Sequence, residues 1–106
     1  MYIPSTAIIP TEKLTAYLLV PRRKSDKSQY LARAGFTATN PDALERALRQ
    51  LIAEYEAIQD RQDEYGTFYR VSGELRGPRG ILSVVTVWML RSADGQYRFI
   101  TLKPAR

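Results

Sequence analysis

The chain has 106 residues, of which 44% are hydrophobic, and these values predict one domain, residues 1–106, with its own core. It contains neither cysteine nor histidine, which excludes disulfides and the usual Cys/His zinc site, so we expect no metal and no other cofactor. Its formal net charge of +5 fits an anionic partner such as RNA, although a solvated basic surface explains the same charge in many unrelated proteins.

Residues 1–4 lack the features of a signal peptide, and no run approaches about 18 apolar residues, so we expect a cytoplasmic protein without membrane contact.

The N-terminal part of the chain predicts two short helices. Thr11 can cap a first helix that ends before Pro21. Ser25 can cap a second helix, which Gly35 ends. The loop between the helices is cationic and supplies three candidate phosphate-binding residues, Arg22, Arg23 and Lys24.

A third predicted helix has the clearest start signal in the chain. Asn40 suits the N-cap, and Pro41 suits the first helical position. Apolar residues then recur every three or four positions and predict one buried face, made of Leu44, Leu48, Leu51, Ile52, Tyr55 and Ile58.

After Asp63 the periodicity changes to about two, with β-branched and aromatic residues in runs bounded by turn residues. This pattern predicts strands over 67–75, 81–91 and 96–103, joined by turns at 76–80 and 92–95. We therefore expect an α+β fold in which two to three N-terminal helices pack on one face of a three- to four-stranded antiparallel sheet.

The strand register decides which residues face away from the helices. We expect Leu75 opposite Ile81 in the first hairpin. In the second hairpin we expect Arg91 opposite Gln96. The open face of the sheet, away from the helices, then carries a mixed polar and aromatic set: Arg70, Thr86, Trp88, Tyr97, Phe99, Thr101 and Lys103.

The same register creates a conflict at Arg98. It places Thr86 opposite Thr101, and Arg98 on the helix-covered face beside Met89, where an unpaired guanidinium is costly to bury. The alternative is a one-residue change in the second turn, which exchanges Arg98 with Thr101.

An open face of this composition suits RNA. Cations would neutralise phosphate, hydroxyls would donate to its oxygens, and aromatic rings would stack on unpaired bases. A structural explanation competes with this one, since Thr, Tyr and Arg are common on solvent-facing strands, and Trp88 by itself is more typical of packing.

Several sites of known chemistry are absent or weakly supported. No phosphate-binding glycine motif occurs, and the glycines at 73, 77 and 80 are typical of a hairpin. Asp60, Asp63 and Glu64 can bind a cation, but a charged turn is the simpler interpretation. Without histidine or cysteine, a Ser-His-Asp or Cys-His nucleophile is excluded.

Short motifs run along nearly the whole chain. They read A-I-I-x-x-E-K-L-x-x-Y-L-L over residues 7–19, K-S-x-Y-L-x-x-A-G-F over 27–36, Y-G-x-x-Y-x-V-x-G-x-L over 65–75, T-V-W over 86–88 and R-F-I-T over 98–101. With these motifs the chain resembles a small bacterial family of uncharacterised domains, found alone and as C-terminal modules of polymorphic toxins. That family is similar in plan to the barnase, EndoU, colicin D and RelE group of ribonucleases.

The resemblance implies a metal-independent endoribonuclease toxin that cleaves tRNA or mRNA by attack of the RNA 2′-hydroxyl. It implies RNA as substrate and a small acidic antitoxin or immunity protein as partner. The implied catalytic residues are Lys27, Thr86, Arg98 and Thr101, and Tyr65 is a further matched position that can bind substrate. The predicted open face adds Arg70, Trp88 and Lys103 as substrate-binding candidates. The family's usual ending, a Thr-Ala-Tyr-Pro-like run, differs here, because Leu102 and Lys103 occupy its middle positions.

Two other hypotheses stay open at this point. In the first, a non-catalytic module holds RNA or an acidic protein on the same open face. In the second, a protein-interaction domain contacts an antitoxin-like chain through exposed Trp88 and Phe99.

Overall fold

The computed structural model describes residues 1–23 and 26–105. Within them the N-terminal half holds three helices, α1 (Thr11–Lys13), which continues as a π-helical turn (Leu14–Leu18), α2 (Ser28–Ala32) and α3 (Pro41–Glu54). The C-terminal half holds four strands, β1 (Ala57–Asp63), β2 (Gly66–Gly77), β3 (Gly80–Arg91) and β4 (Tyr97–Pro104), in one antiparallel sheet of order β1-β2-β3-β4. The predicted α+β class, with helices N-terminal to the sheet, is confirmed. None of the described helices is long and apolar enough to span a bilayer.

Helix α3 begins where the sequence predicts, with Asn40 at the N-cap and Pro41 in the first turn. The Asn40 side chain, however, makes no hydrogen bond to the helix. Its Oδ1 accepts from the Thr37 backbone N–H at 2.8 Å, and its Nδ2 donates to the Gly35 carbonyl at 3.1 Å. Asn40 therefore braces the loop before α3, a loop that starts at Gly35 in the left-handed conformation (φ +91°) expected after a helix.

The starts of the first two helices differ from those predicted. Pro10, not Thr11, occupies the N-cap of α1, and no side chain caps this helix. The predicted cap at Ser25 lies outside the described residues, and α2 begins at Ser28.

The predicted third helix is too long. Helix α3 ends at Glu54, after which Tyr55 has extended backbone angles (φ −115°, ψ 138°). The chain then forms β1, in which Ala57 pairs with Val71, and Ile58, expected on the buried helical face, is 61% exposed. Strand β1 gives hydrogen-bond partners to an edge of β2 that a longer helix would leave unpaired.

The first hairpin is offset by one residue from the predicted register. Leu75 pairs with Leu82 instead of Ile81, because the chain turns tightly between Gly77 and Gly80. A Cβ at Gly77 would collide with the backbone at the end of the α2 region, so glycine allows the turn to pack there. The offset buries the β3 residues Leu82, Val84, Thr86 and Trp88.

The second hairpin keeps the predicted register near its turn and then departs from it. Trp88 pairs with Phe99, in line with the expected register. A β-bulge in β4 then shifts the pairing by one residue, giving the pairs Val87↔Thr101 and Thr86↔Leu102.

These two changes together resolve the conflict at Arg98. Arg98 does lie opposite Met89, but the first-hairpin offset puts that pair on the open face. The bulge keeps Thr101 on the open face as well. Arg98 and Thr101 therefore share one face instead of exchanging places.

The covered face of the sheet forms the core. Helix α3 buries much of its predicted apolar stripe, namely Leu44, Leu48, Leu51 and Ile52. On the same covered face, the rings of Trp88 and Phe99 meet edge to face, with centroids 5.2 Å apart, and both side chains are fully buried. The predicted open-face positions of Trp88 and Phe99 are therefore wrong.

Candidate functional site

Three cross-strand rows make up the centre of the open face. From β2 through β3 to β4 they are Phe68–Met89–Arg98, Arg70–Val87–Thr101 and Ser72–Val85–Lys103. The β3 members are half-buried apolar side chains, whereas β4 contributes two cations and a hydroxyl. The face thus has an apolar strip along β3 and a cationic border along β4.

On the β1 side of this face, the cations have acidic partners. Arg70 Nε lies 3.7 Å from Asp60 Oδ2, and Arg61 Nη1 lies 3.2 Å from Asp63 Oδ2. The guanidinium of Arg61 also lies over the ring of Phe68, 4.0 Å from its centroid. Neighbouring carboxylates therefore already neutralise much of this half.

On the β4 side the cations lack such partners. In the described part of the chain, no carboxylate oxygen lies within 4.0 Å of the charged atoms of Lys27, Arg98 or Lys103. Arg98 and Thr101 face Met89 and Val87, two residues apart on β3, so they lie about 7 Å apart along the strand. We call Lys27, Arg98, Thr101 and Lys103 the β4 cationic site.

Lys27 joins this site from the helical half of the chain. Its Nζ donates to Thr101 Oγ1 at 3.5 Å, a contact between residues 74 positions apart in sequence. Asp26 fixes the backbone around Lys27, because its Oδ1 accepts from the hydroxyl of Ser28 at 2.6 Å and from the Ser28 backbone N–H at 2.8 Å. These hydrogen bonds, with the hydroxyl contributing most, hold the pKa of Asp26 below its usual value.

Arg98 lies between two clefts. One, of about 370 Å³, is lined by Pro10, Glu12, Lys13, Ala16, Tyr17 and Arg98. The other, of about 460 Å³, also borders Arg98 and includes Tyr65, Glu64 and Met89. Arg98 Nε is buried and has no hydrogen-bond partner in the described structure, although such an atom is costly to leave unpaired.

The N-terminal segment builds the first of these clefts. The backbone N–H of Ile8 donates to the Tyr97 carbonyl at 2.8 Å, and the Phe99 N–H donates to the Ile8 carbonyl at 2.8 Å. The segment thus extends the sheet beyond β4 by a short parallel bridge. Helix α1 follows directly, which places its outer side next to Arg98.

Thr86, predicted as a catalytic residue of the open face, has no exposed surface. Its Oγ1 donates to the Val71 carbonyl at 2.9 Å and accepts from Trp88 Nε1 at 2.8 Å. The hydroxyl therefore satisfies the indole N–H inside the core, which corrects the predicted placement of both residues.

The other aromatic and loop residues predicted for the open face or for substrate binding differ in exposure. Tyr65 is 68% exposed, and Arg22 lies over the ring of Tyr17, 3.8 Å from its centroid. Arg23 is exposed, whereas Lys24 lies outside the described residues. Tyr97, expected on the open face, instead packs on the covered side, 5.8 Å from the ring of Tyr69, and burial raises the pKa of its hydroxyl.

The acidic residues near β1 form a turn. Asp63 Oδ1 accepts from the backbone N–H groups of Tyr65 at 2.8 Å and Gly66 at 3.3 Å. No cluster of three or more potential metal-binding Asp or Glu side chains occurs among the residues that the structure describes. The charged-turn interpretation of these carboxylates therefore accounts for Asp63.

The sequence predictions missed the residues that α1 contributes to the site. Glu12, Lys13 and Tyr17 line the cleft beside Arg98. A signal was present, because Lys13 and Tyr17 stand four positions apart and thus share one side of a helix. Only the position of this helix beside β4 shows that the side with Lys13 and Tyr17 faces the cleft next to Arg98.

A family model described as "Domain of unknown function (DUF6883)" matches residues 4–106, nearly the whole chain. No curated protein and no solved structure gives a significant match.

Proposed function

The chain belongs to this family, and we propose that it is a metal-independent endoribonuclease of the bacterial toxin type that binds RNA at the β4 cationic site. The observation that carries the proposal is the contact of Lys27 Nζ with Thr101 Oγ1, on the same face as the unneutralised Arg98. A lysine, an arginine and a hydroxyl that converge on an open sheet face form a suitable site for a phosphodiester.

In the proposed reaction, the RNA 2′-oxygen attacks the adjacent phosphorus. The O2′–P bond forms, the P–O5′ bond breaks, the 2′ proton passes to a base, and the 5′ oxygen gains a proton. The products are a 2′,3′-cyclic phosphate and a 5′-hydroxyl, without net uptake of any reagent. Arg98 and Lys27 would stabilise the negative charge that grows on the phosphoryl oxygens, and Thr101 would orient one of them.

The proton acceptor in this reaction has to be a group other than histidine, since the chain has none. Two carboxylates line the clefts beside Arg98, namely Glu12 in one and Glu64 in the other. We propose that one of these two carboxylates accepts the 2′ proton. The variants Glu12→Gln and Glu64→Gln distinguish them, because only the variant that lacks the base should lose cleavage while keeping its affinity for RNA.

Two further features support the toxin assignment. The order of helices followed by an antiparallel sheet with an open face agrees with the plan of the ribonuclease group that the sequence resembles. The net charge of +5 and the unneutralised β4 side favour both RNA and an acidic neutralising protein as partners. Such a protein would act as the antitoxin or immunity partner, and tRNA or mRNA as the target.

The test is cleavage of total cellular RNA by the purified chain in EDTA, with analysis of the product ends. We expect cyclic-phosphate products, and a loss of about 10²-fold or more in rate for Arg98→Ala and for Lys27→Ala. Arg46→Ala is the matched control, since it removes a cation from the exposed side of α3, away from the open face. Absence of cleavage of any cellular RNA would contradict the proposal.

A second candidate is a non-catalytic module that holds an acidic partner protein. The half-buried apolar strip of Val85, Val87 and Met89 beside unpaired cations favours it, because such a combination is typical of protein interfaces. This candidate predicts tight, salt-sensitive capture of an acidic protein encoded beside this chain, and no RNA turnover. Growth arrest on expression, relieved by that neighbour, together with RNA cleavage in vitro, would favour the first candidate.

A further inference from the structure

We propose that the β4 cationic site takes single-stranded RNA, with a phosphate at Arg98 and an unpaired base on each side, one near Tyr17 and one near Tyr65. This inference rests on the proposed RNA-binding function and names the form of RNA that the site accepts. It follows from what surrounds Arg98.

Arg98 is the residue that the two clefts share, and each cleft also has one tyrosine in its lining. Tyr17 is 39% exposed and Tyr65 is 68% exposed, so both rings are accessible. The Arg98 side chain is half-buried, and no carboxylate oxygen of the described residues lies within 4.0 Å of its charged atoms, so its guanidinium can bind an anion between the two rings. The arrangement is aromatic ring, cation, aromatic ring.

Contacts within the protein restrain both tyrosines. The guanidinium of Arg22 covers one face of the Tyr17 ring, 3.8 Å from its centroid, and a base can stack on the outer plane of this guanidinium. Tyr65 sits in the turn that Asp63 fixes through hydrogen bonds to the backbone. The Tyr17 side chain and the Tyr65 backbone are therefore restrained before binding, which reduces the entropy lost when RNA binds.

The clefts favour bases over further phosphates. Apart from Arg98, each cleft contains one carboxylate, Glu12 or Glu64, and one cation, Lys13 or Arg91, so these charges offset each other and give little attraction to a second phosphate. A neutral base needs no such attraction and gains contact with the ring. Bases inside a duplex already stack on each other and cannot reach both tyrosines, so the site selects a single strand.

The test is a binding measurement with labelled RNA whose 2′-hydroxyls are methylated, so that cleavage cannot occur. The probes are a single-stranded hexamer, the same hexamer in a duplex, and an abasic hexamer that keeps only the sugar-phosphate backbone. We expect the single strand to bind at least about 10-fold more tightly than the other two.

Variants then assign the difference to the rings. We expect Tyr17→Leu and Tyr65→Leu each to weaken binding of the single strand by about 10-fold and to leave binding of the abasic probe unchanged. Tyr65→Phe keeps the ring and should retain wild-type affinity. Tyr2→Leu is the matched control, because Tyr2 is also exposed but lies next to Met1, which pairs with the start of β1.

The outcomes separate this inference from the function on which it rests. Equal affinity for the abasic and complete strands, with loss of both in Arg98→Ala, would overturn the inference and leave RNA binding at Arg98 in place. Unchanged affinity in both leucine variants would overturn it as well. Failure of every probe to bind, together with absence of cleavage, would contradict the proposed function itself.

Discussion

The two faces of the sheet differ less in hydrophobicity than in what happens to their polar atoms. Strand β3 is apolar on both sides, with Leu82, Val84 and Trp88 on the covered face and Val85, Val87 and Met89 on the open face. On the covered face, the Thr86 hydroxyl and the Trp88 indole satisfy each other. On the open face, the Arg98 Nε is buried without a partner. The comparison teaches that the polar side-chain atoms of the covered face satisfy each other, whereas the open face keeps a buried donor without a partner among the described residues.

The largest expected change in the free energy of unfolding comes from removing the biggest side chain of the covered face. Trp88→Ala should lower the free energy of unfolding by about 3–5 kcal/mol, because it removes a fully buried ring from the core. Urea denaturation followed by circular dichroism measures this. Met89→Ala, on the half-buried open side of the same strand, is the control and should cost less than half as much. Equal losses would contradict the assignment of the two faces.

Thr86→Val sharpens the comparison, because it removes one hydroxyl at nearly constant volume. The change leaves the Trp88 indole N–H without its acceptor, and we expect a loss of about 1–3 kcal/mol in the free energy of unfolding. Thr86→Ser keeps the oxygen and should lose less. RNA cleavage by the folded fraction of Thr86→Val should remain. Lost activity in a fully folded variant would instead support a direct role for Thr86 in chemistry.

Arg98→Met, on the open face, should stabilise the fold, unlike the two variants of the covered face. Replacing the unpaired guanidinium with an apolar side chain of similar length should raise the free energy of unfolding by about 1 kcal/mol, since it removes a buried unsatisfied donor. The same variant should bind RNA at least about 10-fold more weakly. Thermal unfolding and fluorescence anisotropy measure the two quantities. A destabilised variant with unchanged RNA affinity would show that Arg98 serves the fold.

The smallest effect concerns Asp26, whose pKa is lowered in the folded protein by hydrogen bonds from Ser28. A lowered pKa means that this carboxylate stabilises the folded state above its usual pKa of about 3.9, and that the contribution disappears as pH falls through the folded value. Asp26→Asn and Ser28→Ala should therefore both show a weaker loss of stability below about pH 4 than the wild type. Identical acid dependence in all three proteins, measured by urea unfolding, would contradict the role of this carboxylate.

Part of the candidate site was predictable from sequence motifs, and part was not. The sequence predicts Lys27, Arg98, Thr101 and Lys103 as site residues, and the structure brings Lys27 into contact with Thr101. Their roles in binding or catalysis remain predictions. The residues from α1 were missed, because the short parallel bridge at Ile8 that docks this segment beside β4 has no local sequence signal.

The sequence by itself determined the elements whose signals are local. Asn40 and Pro41 marked the start of α3, Gly35 marked the end of the α2 region, and the change to period two marked β2, β3 and β4. Each signal depends on backbone preferences that act over a few residues.

Tertiary structure alone decided which face each strand residue occupies. Both alternations of β3 are apolar, so its pattern does not select a face, and a one-residue offset at the Gly77–Gly80 turn moves every β3 residue to the opposite face from the one predicted. The local sequence pattern likewise does not predict the bulge in β4 or the change from helix to strand after Glu54. They arise because distant segments must satisfy each other's backbone hydrogen bonds and fill one core, and those requirements exist only in the folded chain.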